Sequence, residues 1–412
     1  MNKIELLAPA GDLEKLKFAL HYGADAVYIG GQIFGLRAAA KNFSFEEMKT
    51  GIAYAHERGR RVYLTLNIIP HNNDIEKLKA YMDVVRDLKP DAVILSDPGT
   101  LMYVREMMPE MEIHLSTQAN NTNYMSARFW HQQGVKRVIL ARELSFNEIA
   151  GIRENTPETL SLEAFVHGAM CISYSGRCLL SNYLNGRDAN RGACSQPCRW
   201  QYHLMEQTRP NEYYPVVETE EGTFFFNSKD LCMIEHIPEL IQSGLDSLKI
   251  EGRMKSVYYV ANIIRAYREA IDTYYRDPES FTYNPKWFED IRKASHREFT
   301  KGFYYRKPTE NDQLYSSSSY IREYDFIGIV TAYDPDTKMA TVEQRNHFKV
   351  GDFVEVMGPN YFEKTFTVDA IYDEAGTAVE RAPHAQQILK IPMPFAVAPL
   401  DILRKPKEVP NE

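Results

Sequence analysis

Eight short runs rich in Val, Ile and Leu recur along the first 275 residues, with amphipathic stretches such as Asp12–Tyr22 and Ile75–Leu88 between them. The runs are Ile4–Pro9, Ala26–Gly30, Val62–Asn67, Ala92–Asp97, Glu112–Thr117, Arg137–Arg142, Glu163–Gly168 and Ser247–Arg253. Several follow a helix stop and an acidic step into the strand, as in YGADAVYI, LKPDAVIL and SGLDSLKI. Continuous apolar strands alternating with helices need a parallel sheet covered on both faces. Eight such units predict an α/β fold, a (β/α)8 TIM-type barrel over residues 1–280. An open doubly wound sheet competes with it, but no G-x-G-x-x-G follows the first strand.

One connection is too long for a βα unit. About eighty residues separate Gly168 from Ser247, where thirty to forty suffice. The excess begins with CISYSGRCLLSNYLNGRDANRGACSQPC and continues through YHLMEQ and EGTFFFNSKD, which read as a β-hairpin. A cysteine-rich insertion at 171–232 thus leaves the C-terminal end of strand seven, on the face where barrels carry active sites. After strand eight come a long helix at Val257–Tyr275 and a linking segment at 281–325. From Phe326 the pattern shifts to short alternating strands, FIGIVTAYD, KMATVEQR, GDFVEVMGP and EKTFTVDAIY. These predict a small all-β domain, a barrel or sandwich, over 326–412.

Cys171, Cys178, Cys194, Cys198 and Cys232 are the only cysteines. Disulfides, a catalytic thiol and a metal centre compete to explain them. The stretch MNKIELLAPAGDLEKLKF lacks an apolar h-region, and no run of about eighteen apolar residues predicts a membrane span. The expectation is a cytoplasmic chain, where clustered cysteines are seldom disulfides. Their spacings, C-x6-C, C-x15-C and C-x3-C with Cys232 further on, do not match a zinc ribbon. Thiolates from separated loop positions suit an iron–sulfur cluster better. The expected ligands are Cys171, Cys178, Cys194 and Cys232, with Cys198 a fifth candidate for four seats.

Arg142, Arg177, Arg187, Lys249, Arg253 and Lys255 fall at the same mouth and suit an anionic substrate. The alternative is a set of rim salt bridges such as Arg142–Glu143 and Glu251–Arg253. His167 and Glu163 on strand seven, with Arg177 and Arg253, make the candidate catalytic set. Arg142, Arg187, Lys249, Lys255, Gln118 and Asn120 make the candidate substrate-binding set, with Asn67 also ending a strand. Tyr174 and Tyr183 are candidates to stack an extruded base. A net charge of −8 argues against a generic nucleic-acid binder without excluding a local basic patch. No H-E-x-x-H, G-x-S-x-G or S-x-x-K signature is present.

The stretch EAFVHGAMCISYSGRCLLS resembles the signature of the collagenase-like peptidases, peptidase family U32. RDANRGACSQPCRW, NSKDLC, SLKIEGRMKS, LLAPAGD and GADAVYIGG extend the likeness over nearly the whole chain. A barrel followed by a small β-domain looks most like the branch of prephenate-dependent tRNA hydroxylases, which convert the wobble uridine to 5-hydroxyuridine. The resemblance implies a 4Fe–4S cluster on cysteines of the loop, prephenate as hydroxyl donor and tRNA as partner. It also makes a paralogous protein subunit a candidate partner. Prephenate carries two carboxylates, which the arginines at the mouth would suit. The alternatives are a collagenase-like peptidase and a cluster-binding scaffold within a hydroxylase complex.

Overall fold

The computed structural model describes residues 3–36, 42–171, 173–199, 218–219, 222–223, 228–308, 320–360 and 363–407. Its first layer is a ring of eight parallel strands, which bears out the barrel. In chain order they are β1 (Glu5–Pro9), β2 (Ala26–Ile29), β3 (Arg61–Leu66), β4 (Ala92–Leu95), β5 (Glu112–Leu115), β6 (Arg137–Ile139), β7 (Ser161–Ala169) and, after an interposed β8 (Asp230–Cys232), β9 (Ser247–Ile250). β9 pairs in parallel with both β7 and β1, which closes the ring. Leu7, Tyr28, Tyr63, Ile94, Ile139 and Phe165 pack together as one inner cluster. The other faces of the strands join the helices in a second, larger core.

Helices α1 (Leu13–His21), α2 (Phe45–His56), α3 (Ile75–Leu88), α4 (Pro98–Met107), α5 (Tyr124–Gln132) and α6 (Phe146–Glu154) return the chain between successive strands. Local chemistry sets their starts. Ser44 with Glu47, and Ser145 with Glu148, form capping boxes at α2 and α6, while Asp12, Asp97 and Asn123 cap α1, α4 and α5. The short α7 (Leu180–Asn185) lies in the cysteine loop, and α8 (Ile237–Gln242) and α9 (Val257–Arg276) flank β9.

The long connection adds sheet as well as loop. β8 runs antiparallel to the end of β7, with Asp230 opposite Ala169 and Cys232 opposite His167. A hairpin pairs Glu218–Thr219 with Gly222–Thr223; the YHLMEQ half of the expected hairpin lies outside the described residues. The linking segment is structured where it is described. It contains α10 (Pro285–Lys293), which buries Trp287, Asp290 and Ile291, and β10 (Phe299–Thr300), which extends the sheet beside β8.

The C-terminal unit is antiparallel and all-β, as expected. Its main strands are β11 (Tyr324–Asp334), β12 (Met339–Gln344), β13 (Phe353–Met357), β14 (Glu363–Thr367), β15 (Ile388–Pro392) and β16 (Ile402–Pro406), in sheet order β14-β13-β16-β11-β12-β15. Ile327, Val342, Val354, Leu389 and Leu403 belong to its own core. It is docked firmly on the barrel. Fully buried Arg404 donates to Asp290 at 2.7 Å, Glu355 at 2.9 Å and Asn262 at 3.0 Å. Tyr22 of α1 donates to the carbonyls of Met357 and Leu400. No helix among the described residues is long and apolar enough to cross a membrane.

Candidate active site in the cysteine-lined mouth

A cavity of about 270 Å³ lies at the C-terminal ends of the barrel strands. Cys171, Cys178, Cys194 and Cys198 all line it, together with Arg142, Lys249, Arg253, Lys255 and one carboxylate, Glu251. The barrel supplies its inner wall through Tyr28, Thr65, Asn67, Ile94, Ser116, Gln118 and Phe165. The cysteine loop lies across this opening and is fastened at several points. Arg177 Nε donates to the Gln118 carbonyl at 2.7 Å, and Asn120 donates to the Tyr174 carbonyl. Glu143 accepts from both the backbone N–H and the hydroxyl of Ser175, at 2.6 and 2.7 Å. That grip holds Ser175 at a φ of 44°, in left-handed backbone that a serine seldom adopts. Asn190 pairs its side-chain amide with the backbone of Cys178 in both directions. Arg191 forks onto Asp74.

The thiols differ in environment. The Gln196 N–H lies 3.4 Å from Cys194 Sγ. Burial pushes the Cys171 thiol up, while the Ser173 N–H and Arg142 act the other way. Backbone N–H donors of this kind favour thiolate. Cys232 does not line the cavity. It is buried in the core beside β7, and burial pushes its thiol up to about 11. The four thiols that share the cavity therefore include Cys198 and omit Cys232. Among the described residues no three His, Cys, Asp or Glu side chains are already drawn together at metal-binding spacing. The donor set, four sulfurs of one loop facing one cavity, fits an iron–sulfur group in chemistry and number.

The cations are held individually. Lys249 Nζ donates to Glu163 at 2.8 Å and lies over the Tyr28 ring; burial draws its pKa down. Arg253 donates to Thr65 and to Asn42, and Gly30 makes room for it, since a Cβ there would sit 2.3 Å from its guanidinium. Arg142 lies over the Phe165 ring and donates to the Ala169 carbonyl. Lys255 packs on the Tyr320 ring.

Several expected site residues fall elsewhere. Glu163 is fully buried beneath the cavity, between Lys249 and Arg137; burial would raise its pKa, but those cations outweigh it and keep it ionised. It positions Lys249 and does not reach the cavity. His167 misses the cavity because β7 slips register there: Lys249 pairs with Phe165 but Ile250 pairs with His167. The bulge reverses the facing, so His167 packs against Tyr259, Tyr267 and Phe299, and burial lowers its pKa to about 3. Arg177 and Arg187 are exposed, and Asn120 ties down the loop from outside the cavity. Tyr174 and Tyr183 are also exposed and do not line it. Tyr320, Thr65 and Ser116 line it without having been singled out from the sequence.

The sequence pattern of Peptidase family U32 matches residues 11–314, and that of the Peptidase family U32 C-terminal domain matches 322–404. The tRNA hydroxylation protein P1 of Bacillus subtilis (strain 168) is 44% identical over 406 residues, covering 98% of this chain and 96% of its own. The tRNA hydroxylation protein P of Escherichia coli (strain K12) is 39% identical over 440 residues, covering 96% and 94%. A collagenase of Porphyromonas gingivalis (strain ATCC BAA-308 / W83) is 31% identical over 415 residues, covering 98% of each chain. Matched along both its barrel and its β-domain, the chain belongs to peptidase family U32, an enzyme family.

Proposed function

We propose that this chain is a cytoplasmic tRNA hydroxylase that converts the wobble uridine to 5-hydroxyuridine, with prephenate as hydroxyl donor and a 4Fe–4S cluster held by Cys171, Cys178, Cys194 and Cys198. The observation that carries the reading is the shared cavity: four thiols of one loop face the same space as Arg142, Lys249, Arg253 and Lys255. Relatives named for tRNA hydroxylation, alike over nearly the whole chain, support the RNA substrate. When bound, the cluster supplies an electron-transfer or Lewis-acid centre at the cavity wall. Arg253, braced by Thr65 and Asn42, offers a fixed guanidinium fork to a carboxylate. Lys249 can bind an anion or exchange a proton at Nζ, with Glu163 behind it. The β-domain, locked to the barrel through Arg404, offers a rigid second surface for the tRNA.

The test is nucleoside mass spectrometry of tRNA from a strain lacking this gene and its paralogues. The expected result is loss of 5-hydroxyuridine and its derivatives, restored by the native chain and by Cys232→Ser but not by Cys198→Ser. Unchanged nucleosides in the deletion strain would remove the tRNA reading. The collagenase relative favours a second reading, peptidase action. Against it, His167 lies outside the cavity that Cys171 lines, so those two do not make a nucleophile–base pair there. Cleavage of gelatin by pure protein, abolished in Cys171→Ala, would establish the peptidase instead.

A further inference from the structure

The cavity has a second chemical face, opposite in character to its cations. Asn67 directly follows β3, and Gln118 lies in the turn after β5; both line the cavity. Ser116 joins them: its hydroxyl oxygen accepts from Asn67 Nδ2 at 3.2 Å and from the Gln118 backbone N–H at 3.3 Å. In this arrangement the Asn67 amide has its nitrogen toward the serine and Oδ1 away. Asn67 Oδ1 and Gln118 Oε1 are both buried and have no hydrogen-bond partner among the described residues. Gln118 as a whole is only 3% exposed. Buried carbonyl oxygens are nearly always paired, so two unpaired in one cavity mark a missing donor.

The charged side chains of the cavity hold other partners. Lys249 donates to Glu163, Arg253 to Thr65 and Asn42, Arg142 to the Ala169 carbonyl and Lys255 to the Ser295 carbonyl. The donor these oxygens lack is a solvent molecule or the group of a ligand that displaces it. On the ligand that donor is not an anionic group, because acceptor oxygens repel carboxylate and phosphate, and a cationic one would meet the four cations of the same cavity. A Cβ at Gly176 of the cysteine loop would sit 3.5 Å from Gln118 Oε1, so the loop covers this same face.

We propose that Asn67 and Gln118 read the target nucleotide: Gln118 Oε1 accepts the imide N3–H of the base, and Asn67 Oδ1 accepts the ribose 2′-hydroxyl. The assignment rests on the tRNA reading above and adds the residues that select uridine. Uridine carries two donors on its base and ribose, N3–H and the 2′-hydroxyl, against two waiting acceptors. Cytidine has no hydrogen at N3, so its lone pair would face that of Gln118. Gln118 is the more deeply buried of the two, as suits the base, and half-buried Asn67 suits the ribose nearer the rim.

The experiment is fluorescence anisotropy with a labelled RNA stem–loop holding a single uridine in its loop. The same stem–loop is then made with cytidine, 3-methyluridine or 2′-deoxyuridine at that position. The native chain is expected to bind each replacement about tenfold more weakly or worse, the loss when a buried acceptor meets no donor. Gln118→Met is expected to erase the preference for uridine over cytidine and keep that for ribose over deoxyribose; Asn67→Leu is expected to do the reverse. Gln118→Glu retains an acceptor and keeps the base preference. Should Gln118→Met fail to fold by thermal melting, Gln118→Ala carries the test, with the same loss of base preference expected and its survival overturning the assignment. Native protein that binds the stem–loop without discrimination, or a base preference surviving in Gln118→Met, overturns this assignment alone. Native protein that binds no stem–loop overturns the tRNA reading and the assignment with it.

Discussion

At the scale of single residues, alternation along a strand accounts for where some polar side chains of the site point and not others. Ser247 and Lys249 alternate with Leu248 and Ile250 in β9, and Lys249 reaches the cavity. The same alternation fails on β7, where one bulged residue turns His167 away from the cavity; nothing in EAFVHGA announces the bulge. The misplacement has a measurable consequence. The folded-state pKa of His167, about 3, lies below the ordinary 6.5 because burial disfavours the charged ring. The unfolded chain therefore binds more protons between those values, so the stabilisation from a neutral His167 is complete above pH 6.5 and is lost as pH falls toward 3. Denaturant titrations at pH 7 and 4.5 should show the native chain losing roughly 2–3 kcal/mol more stability than His167→Phe over that interval. Equal losses in both would show that His167 is not held neutral.

Elements were the most legible level. Eight apolar runs became eight parallel strands, because a strand buried on both faces leaves continuous hydrophobic sequence, and caps such as Ser44 and Ser145 mark where helices begin. Helix α10 was not read from the sequence, although Asn284 caps it and Pro285 occupies the first turn, where a missing N–H costs nothing. Its buried Trp287 and Ile291, four positions apart, make a stripe too short to stand out from a linker. The fastening of the cysteine loop was equally hidden, since Glu143 and Ser175 lie thirty-two positions apart. Glu143→Ala should leave the melting temperature nearly unchanged while tryptic cleavage after exposed Arg177 quickens roughly tenfold. That factor corresponds to about 1.4 kcal/mol less local opening free energy. An unchanged cleavage rate would mean that Glu143 does not hold the loop.

For the whole molecule, the division into barrel and β-domain was visible in the change of hydrophobic period near residue 326. The way the two are joined was not, because Arg404 meets Asp290 across 114 positions of sequence. Arg265 shares the same buried carboxylate. Removing Asp290 would take a buried carboxylate from two buried guanidinium groups, with Glu355 still facing Arg404, so Asp290→Ala should cost about 3–5 kcal/mol in urea denaturation. A loss under about 1 kcal/mol would mean that the domains are not locked there. The cavity draws on both the barrel and the structured link, through Tyr320, and its four thiols carry the functional reading. That reading is tested most directly by iron and acid-labile sulfide analysis of anaerobically purified native protein, Cys198→Ser and Cys232→Ser. The account predicts about four irons per chain in the native protein and in Cys232→Ser, and loss of iron in Cys198→Ser. An iron-free native protein, or a cluster that survives Cys198→Ser and disappears in Cys232→Ser, would contradict it.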